Sequence, residues 1–174
     1  VKTVSTAFTR ADYDRLPEGF PAQLVEGFLV KEPAPTYGHQ ALVVNLLLSL
    51  APFVDRRLLV PAPSDVGIDD LNVYQPDVLV LRSIPDLTAH DVGIPLLAIE
   101  VLSPSTAHRD RVVKRRHLLA AGVAEVWLVD PDARTVEVYD AAGRRVASGG
   151  RALASNAVLG FTLSPATLFG QPRA

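Results

Sequence analysis

The runs Gln75-Pro76-Asp77-Val78-Leu79-Val80-Leu81 and Leu97-Ala98-Ile99-Glu100-Val101-Leu102 each set one carboxylate into an apolar strand pattern. An ionised carboxylate in a low-dielectric interior is costly unless a cation or hydrogen-bond donors offset it. One such group at the start of a buried strand and another near the end of a second suggest a shared cation. Carboxylates from adjacent strands can hold a hard ion such as Mg²⁺, which prefers oxygen ligands and keeps several waters. A metal held in this way polarises a phosphoryl oxygen and lowers the pKa of a bound water. A nearby lysine would neutralise charge developing on the phosphate or orient the attacking water. Lys114 is the candidate, because Asp110, Lys114 and Leu118 are spaced four apart and share one helical face. The same segment carries Arg109, Arg111, Arg115, Arg116, His108 and His117, a locally basic helix that fits contact with a polyanion.

Each of these residues also has a purely structural reading. Asp77 can cap a turn through backbone N–H groups. Glu100 can pair with Lys114 or an arginine in a buried salt bridge. Glu26 is at home as a solvated turn residue, Trp127 as core, and the basic helix as a solvated face. Asp65, Asp69 and Asp70 read as a polar loop, although Asp65 could approach the metal.

The elements that must position these groups follow from local pattern. Thr9 to Pro17 reads as a short helix with Thr9 as N-cap, stopped by proline. Ala22 to Val25 and Phe28 to Lys31 flank Glu26-Gly27 as a hairpin. Gly38 to Val54, rich in Leu and Ala, is long enough to favour a mostly buried helix. Leu58 to Val60 precedes a proline-rich connector and a polar stretch from Ser64 to Asn72. Ser103-Pro104-Ser105-Thr106 supplies caps for a helix ending at Gly122. Strands at Glu125 to Val129 and Thr135 to Tyr139 are joined by a turn, and Ala141 to Arg144 reads as another. The tail from Leu153 to Phe169 alternates only weakly. The helix between Glu100 and Val126 can serve as a crossover between parallel strands, and the later hairpins add antiparallel ones. The expected fold is α/β or α+β, with a mixed central sheet flanked by helices.

The chain has 174 residues, 48% hydrophobic and 21% charged, which suits one globular domain spanning 1–174. A net charge of -2 excludes nucleic-acid binding by bulk electrostatics alone, though not through a local basic surface. With no cysteine, disulfides, thiolate metal sites and cysteine nucleophiles are excluded. The longest apolar run, Ala41 to Val54, is interrupted by Asn45, Ser49 and Pro52 and falls short of the roughly 18 residues of a membrane span. Val1-Lys2-Thr3-Val4 lacks the layout of a secretory signal. These features point to a soluble cytoplasmic protein with no membrane partner.

Several blocks, taken in order, resemble one family. They are Gln23 to Val30, Pro76-Asp77-Val78, Glu100-Val101-Leu102-Ser103-Pro104-Ser105, Asp110, Lys114, Gly122-Val123 and Glu125 to Pro131. The family is a large bacterial group of restriction-endonuclease-like proteins, expanded in cyanobacteria and placed in the PD-(D/E)XK nuclease superfamily. The resemblance runs from about Asp12 to Tyr139 and implies a restriction-endonuclease-like core with a metal held by Asp77 and Glu100. The superfamily lysine two residues after the acid is Leu102 here, and Lys114 is its counterpart on the following helix. Glu26 matches an acidic position of the N-terminal hairpin and would be an auxiliary acid, while His39 matches a histidine of the next helix. Leu118 replaces an expected tyrosine and Gln23 an expected glutamate. The implied activity is a Mg²⁺-dependent endodeoxyribonuclease, with Mn²⁺ as substitute, acting on DNA as a homodimer. The alternative is a catalytically inactive nuclease-like module that binds DNA or protein.

Overall fold

The computed structural model describes residues 7–170, so the Val1–Val4 segment lies outside the described residues. Helix α1 (Arg10–Tyr13) is a single turn that ends at the Asp14 cap, before the expected proline stop at Pro17. Thr9 and Asp12 form a reciprocal capping box at its start. Strands β1 (Ala22–Val25) and β2 (Phe28–Lys31) form the expected hairpin, closed by Val25 opposite Phe28. Its two turn residues, Glu26 and Gly27, both take positive φ, at 50° and 80°. This is the backbone whose twist matches paired strands. A side chain at Gly27 would also sit 2.6 Å from Ala7 Cβ.

Helix α2 (Tyr37–Leu50) starts where Thr36 accepts from the His39 N–H. It stops four residues short of the expected Val54, because Pro52 has no N–H to continue the ladder. Strand β3 (Leu59–Pro61) follows a single 3₁₀ turn. The stretch from Ser64 to Asn72 departs from its sequence reading. It contains β4 (Val66–Asp69), which pairs with β5 (Asn72–Tyr74). Asp69 bonds the Leu71 N–H and the Asn72 amide, so its carboxylate serves the turn.

Strands β6 (Val78–Val80) and β7 (Leu97–Val101) are antiparallel, and β7 runs parallel to β8 (Glu125–Asp130). The crossover between β7 and β8 is a continuous helical segment over residues 107–120. It consists of α3 (Ala107–Arg109), a π-turn (Asp110–Lys114) and α4 (Arg115–Ala120). Strands β9 (Thr135–Asp140) and β10 (Gly143–Ser148) complete a six-stranded mixed sheet of order β10-β9-β8-β7-β6-β3. A second sheet has the order β2-β1-β5-β4. The weakly patterned tail folds as a small pair, β11 (Leu153–Ala154) with β12 (Thr162–Leu163), and α5 (Pro165–Phe169), which packs near α2.

The architecture is therefore mixed α+β, a six-stranded sheet flanked by helices. Alternation along β7 divides two cores. Leu97, Ile99 and Val101 pack with Val43, Leu46 and Leu50 of α2 and with Trp127. Ala98 and Leu102 face the other way, toward Leu118, Val123, Val126 and Leu128. Glu100 belongs by the same alternation to the crossover-helix face. No helix among the described residues is long and apolar enough to cross a membrane.

Candidate active site

The first link in the site is strand register. Val78 pairs with Ile99, so the antiparallel register extended by one residue sets Asp77 across from Glu100. Asp77 Oδ2 accepts the Val101 N–H at 2.7 Å, which fixes the carboxylate at the sheet edge. It also lies 3.3 Å from His39 Nε2 on α2. That hydrogen bond, opposed by burial, raises the imidazole above its ordinary 6.5. The stabilisation from this pair is accordingly full below pH 6.5 and is lost as pH rises through the raised folded value.

Glu100, Asp110 and Lys114 are buried together. Lys114 Nζ lies 2.6 Å from Glu100 Oε1 and 3.5 Å from Asp110 Oδ1. The shorter contact is an ion pair that leaves Glu100 Oε1 without an aligned hydrogen bond, and Asp110 Oδ1 lacks one as well. Burial pushes the Glu100 carboxyl well above its ordinary 4.5; Lys114 opposes this, and Asp110 and Asp77 add to it. Burial alone would lower the Lys114 ammonium, but Glu100 and Asp110 outweigh it and raise the lysine above 10.5. Leu102 is buried on the Glu100 face, and Lys114 reaches the glutamate from the helix instead.

These side chains open on a cleft of about 1450 Å³, which Asp77, Glu100, Lys114 and His39 all line. Glu26 is not brought there. Its place on the tight β1–β2 turn leaves the side chain 54% exposed, 3.9 Å from Arg116, and the cleft wall near Asp110 is formed by Glu32 instead. Glu32, just past the end of β2, pairs with Arg109 and accepts from the Gln23 amide at 3.1 Å. Burial pushes its carboxyl up, Arg109 and Lys114 pull it down, and Asp110 and Asp77 push it up again. Gln23 in turn accepts from the Gln75 N–H, two residues before Asp77. Sequence reasoning missed Glu32, whose only signal was its position on the returning arm of a hairpin. Asp65 is consumed by Tyr13 and Gln75, which both donate to its Oδ1.

The basic helix is less available than its composition suggested. Arg111 pairs with Asp130 and Glu137, and Arg115 lies over the Tyr139 ring at 4.3 Å. Of the lysines and arginines lining the cleft, Arg10 is paired with Asp91, Arg109 with Glu32 and Lys114 with Glu100. Arg10 crosses directly over Gly67, where any side chain would collide with it.

The donor set can be tested against a metal. Among the described residues, no three His, Asp or Glu side chains are grouped as a ready protein cage. Two facing carboxylates, a surplus of negative charge around one ammonium and a roomy cleft instead fit an ion that retains much of its own water. Asp77 and Glu100 are the groups that could hold such an ion. The all-oxygen chemistry favours a hard cation over zinc.

A family model described as "Uma2: Putative restriction endonuclease" matches residues 10–166. No curated protein matches the chain. Among solved structures, the chain is similar to one described as "a putative nuclease belonging to DUF820" from Anabaena variabilis. The two are 24% identical, with a TM-score of 0.79 over 92% of this chain and 97% of that one. A likeness at this identity establishes the fold.

Proposed function

Because this chain belongs to the Uma2 family of restriction-endonuclease-like proteins, we propose that it is a Mg²⁺-dependent endonuclease that hydrolyses phosphodiester bonds in DNA. The observation that supports this most directly is the register that sets the half-buried Asp77 across from the buried Glu100, with the Lys114 ammonium 2.6 Å from Glu100. In this reading Asp77 and Glu100 would hold the ion, which would supply Lewis-acid activation of water when bound. Lys114 stays protonated and meets negative charge developing on the phosphoryl group. The backbone N–H of Val101 and the imidazole of His39 keep Asp77 aimed. Glu26 has no part in the chemistry.

The test is cleavage of plasmid and oligonucleotide DNA by purified protein. Turnover is expected with Mg²⁺ or Mn²⁺ and none with EDTA. Metal-independent cleavage, or none with either ion, would overturn the reading.

The pre-paired cations of the cleft favour a second reading, a nuclease-like module that binds DNA or protein without cutting. Mn²⁺ titration by calorimetry separates the two, because the inactive module predicts no binding at millimolar metal.

A homodimer belongs to the same proposal, since paired sites suit the cutting of two strands. Val44 and Leu48 leave an apolar stripe exposed on α2, a helix without Asp, Glu, Lys or Arg. Leu48→Glu is expected to convert the dimer to monomer in light scattering. A wild-type mass equal to one chain would remove the dimer.

A further inference from the structure

We propose that Asp110 is a positioning residue that retains the Lys114 ammonium when Glu100 takes up a cation. The inference rests on the nuclease reading above. It starts from an imbalance of charge. A lysine paired with one glutamate is already neutral, yet Lys114 has two carboxylates within 4 Å. All three side chains are at least 95% buried.

A second buried carboxylate adds desolvation cost without completing a hydrogen bond at Oδ1, and the other cation near it, Arg109 Nε at 4.0 Å, is already paired with Glu32. Packing would be served better by an apolar residue, as it is at Leu118 on the same face. The backbone is also unusual here. Asp110–Lys114 is wound as a π-turn within an otherwise α-helical segment, a distortion that recurs at functional sites. The sequence therefore carries two local costs at one place, and stability explains neither.

Competition for Glu100 explains both. The oxygen that contacts Lys114 belongs to the carboxylate proposed to hold the metal. A divalent ion on Glu100 weakens that ion pair and repels the ammonium. Without a second anchor, the lysine would swing from its place beside the phosphate. Asp110 is that anchor, and among the described residues it is the only other carboxylate within 4 Å of Nζ. Asp110 touches neither metal nor phosphate and acts through Lys114.

The experiment is a double-mutant cycle on the full chain, with Asp110→Asn and Lys114→Met each alone and combined. Asp110→Asn is expected to lower kcat by about 10- to 100-fold while KM and Mn²⁺ affinity hold. In the Lys114→Met background the same change should cost nothing further. Unchanged kcat, equal losses in both backgrounds, or a tenfold loss of Mn²⁺ affinity would overturn the proposal; the last would make Asp110 a ligand. The ¹⁵N resonance of the Lys114 ammonium supplies a readout independent of turnover. With Mg²⁺ present it should persist in the wild type and vanish in a folded Asp110→Asn variant. Persistence in both, or absence from both, counts against the anchor. This holds even if no DNA is cut, so failure of the nuclease reading stays distinguishable.

Discussion

Glu100→Ala is expected to abolish Mg²⁺- and Mn²⁺-dependent cleavage while leaving the fold intact. On the proposed reading Glu100 would be one of only two protein groups holding the ion, so its removal would cost metal occupancy and the Lewis-acid activation of water together. The fold survives because the cluster has carboxylates to spare. With Glu100 gone, Lys114 still has Asp110 at 3.5 Å, so the buried ammonium is not left alone. The burial that pushes Glu100 above 4.5 also means that its ionised form is a cost to the native state. Its contribution to stability is full below pH 4.5 and declines as pH rises through the folded value. Glu100→Gln, which keeps the shape, separates lost chemistry from a new cavity. Full activity in either variant, measured with saturating Mn²⁺, would sink the assignment of Glu100.

Lys114→Met has the opposite signature, with activity and stability both falling. It removes the cation that offsets two buried carboxylates, and breaking a buried pair from one side costs about 3–5 kcal/mol. The loss should depend on pH in a defined direction. Without Lys114, nothing opposes the push of burial on the Glu100 carboxyl, so its folded value climbs further above 4.5. Stability retained near pH 4.5 is then lost as pH rises. Urea unfolding should accordingly show a large deficit against the wild type at pH 8 and a smaller one at pH 5. A deficit independent of pH would mean that the lysine contributes packing alone.

The parts of this fold that were legible in the sequence share a physical property. Strands β6, β7 and β8 are continuous apolar runs, fully buried over Val78–Val80, Leu97–Val101 and Glu125–Val129, and a lone carboxylate stands out in such a run. The hairpin at Glu26-Gly27 and the cap at Thr9 were legible because turn and cap chemistry is local. Strands β4 and β5 were not, since Asp65, Asp69 and Asp70 obscure the alternation of Val66, Ile68 and Val73. The Glu32–Arg109 pair joins residues 77 positions apart, and nothing local to either one announces it. The pairing of Arg109 and Arg111 is tertiary in the same way, which is why the basic helix promised more free charge than the structure leaves. Glu26 was selected by likeness, and although its turn was legible, where that turn stands relative to the cleft is a tertiary fact that no local pattern carries.

The division of β7 into two faces bears on how this lineage can change length. Gain or loss of one residue between Leu97 and Glu100 would turn the carboxylate toward α2 and present an aliphatic side chain to Lys114. An insertion or deletion within that strand would thus break the Glu100–Lys114 pair whatever it does to the rest of the sheet. The connectors at residues 83–95 and 103–106 carry no such parity. Evolutionary drift in the size of the cleft should be recorded there, as loops of varying length around strands of fixed length.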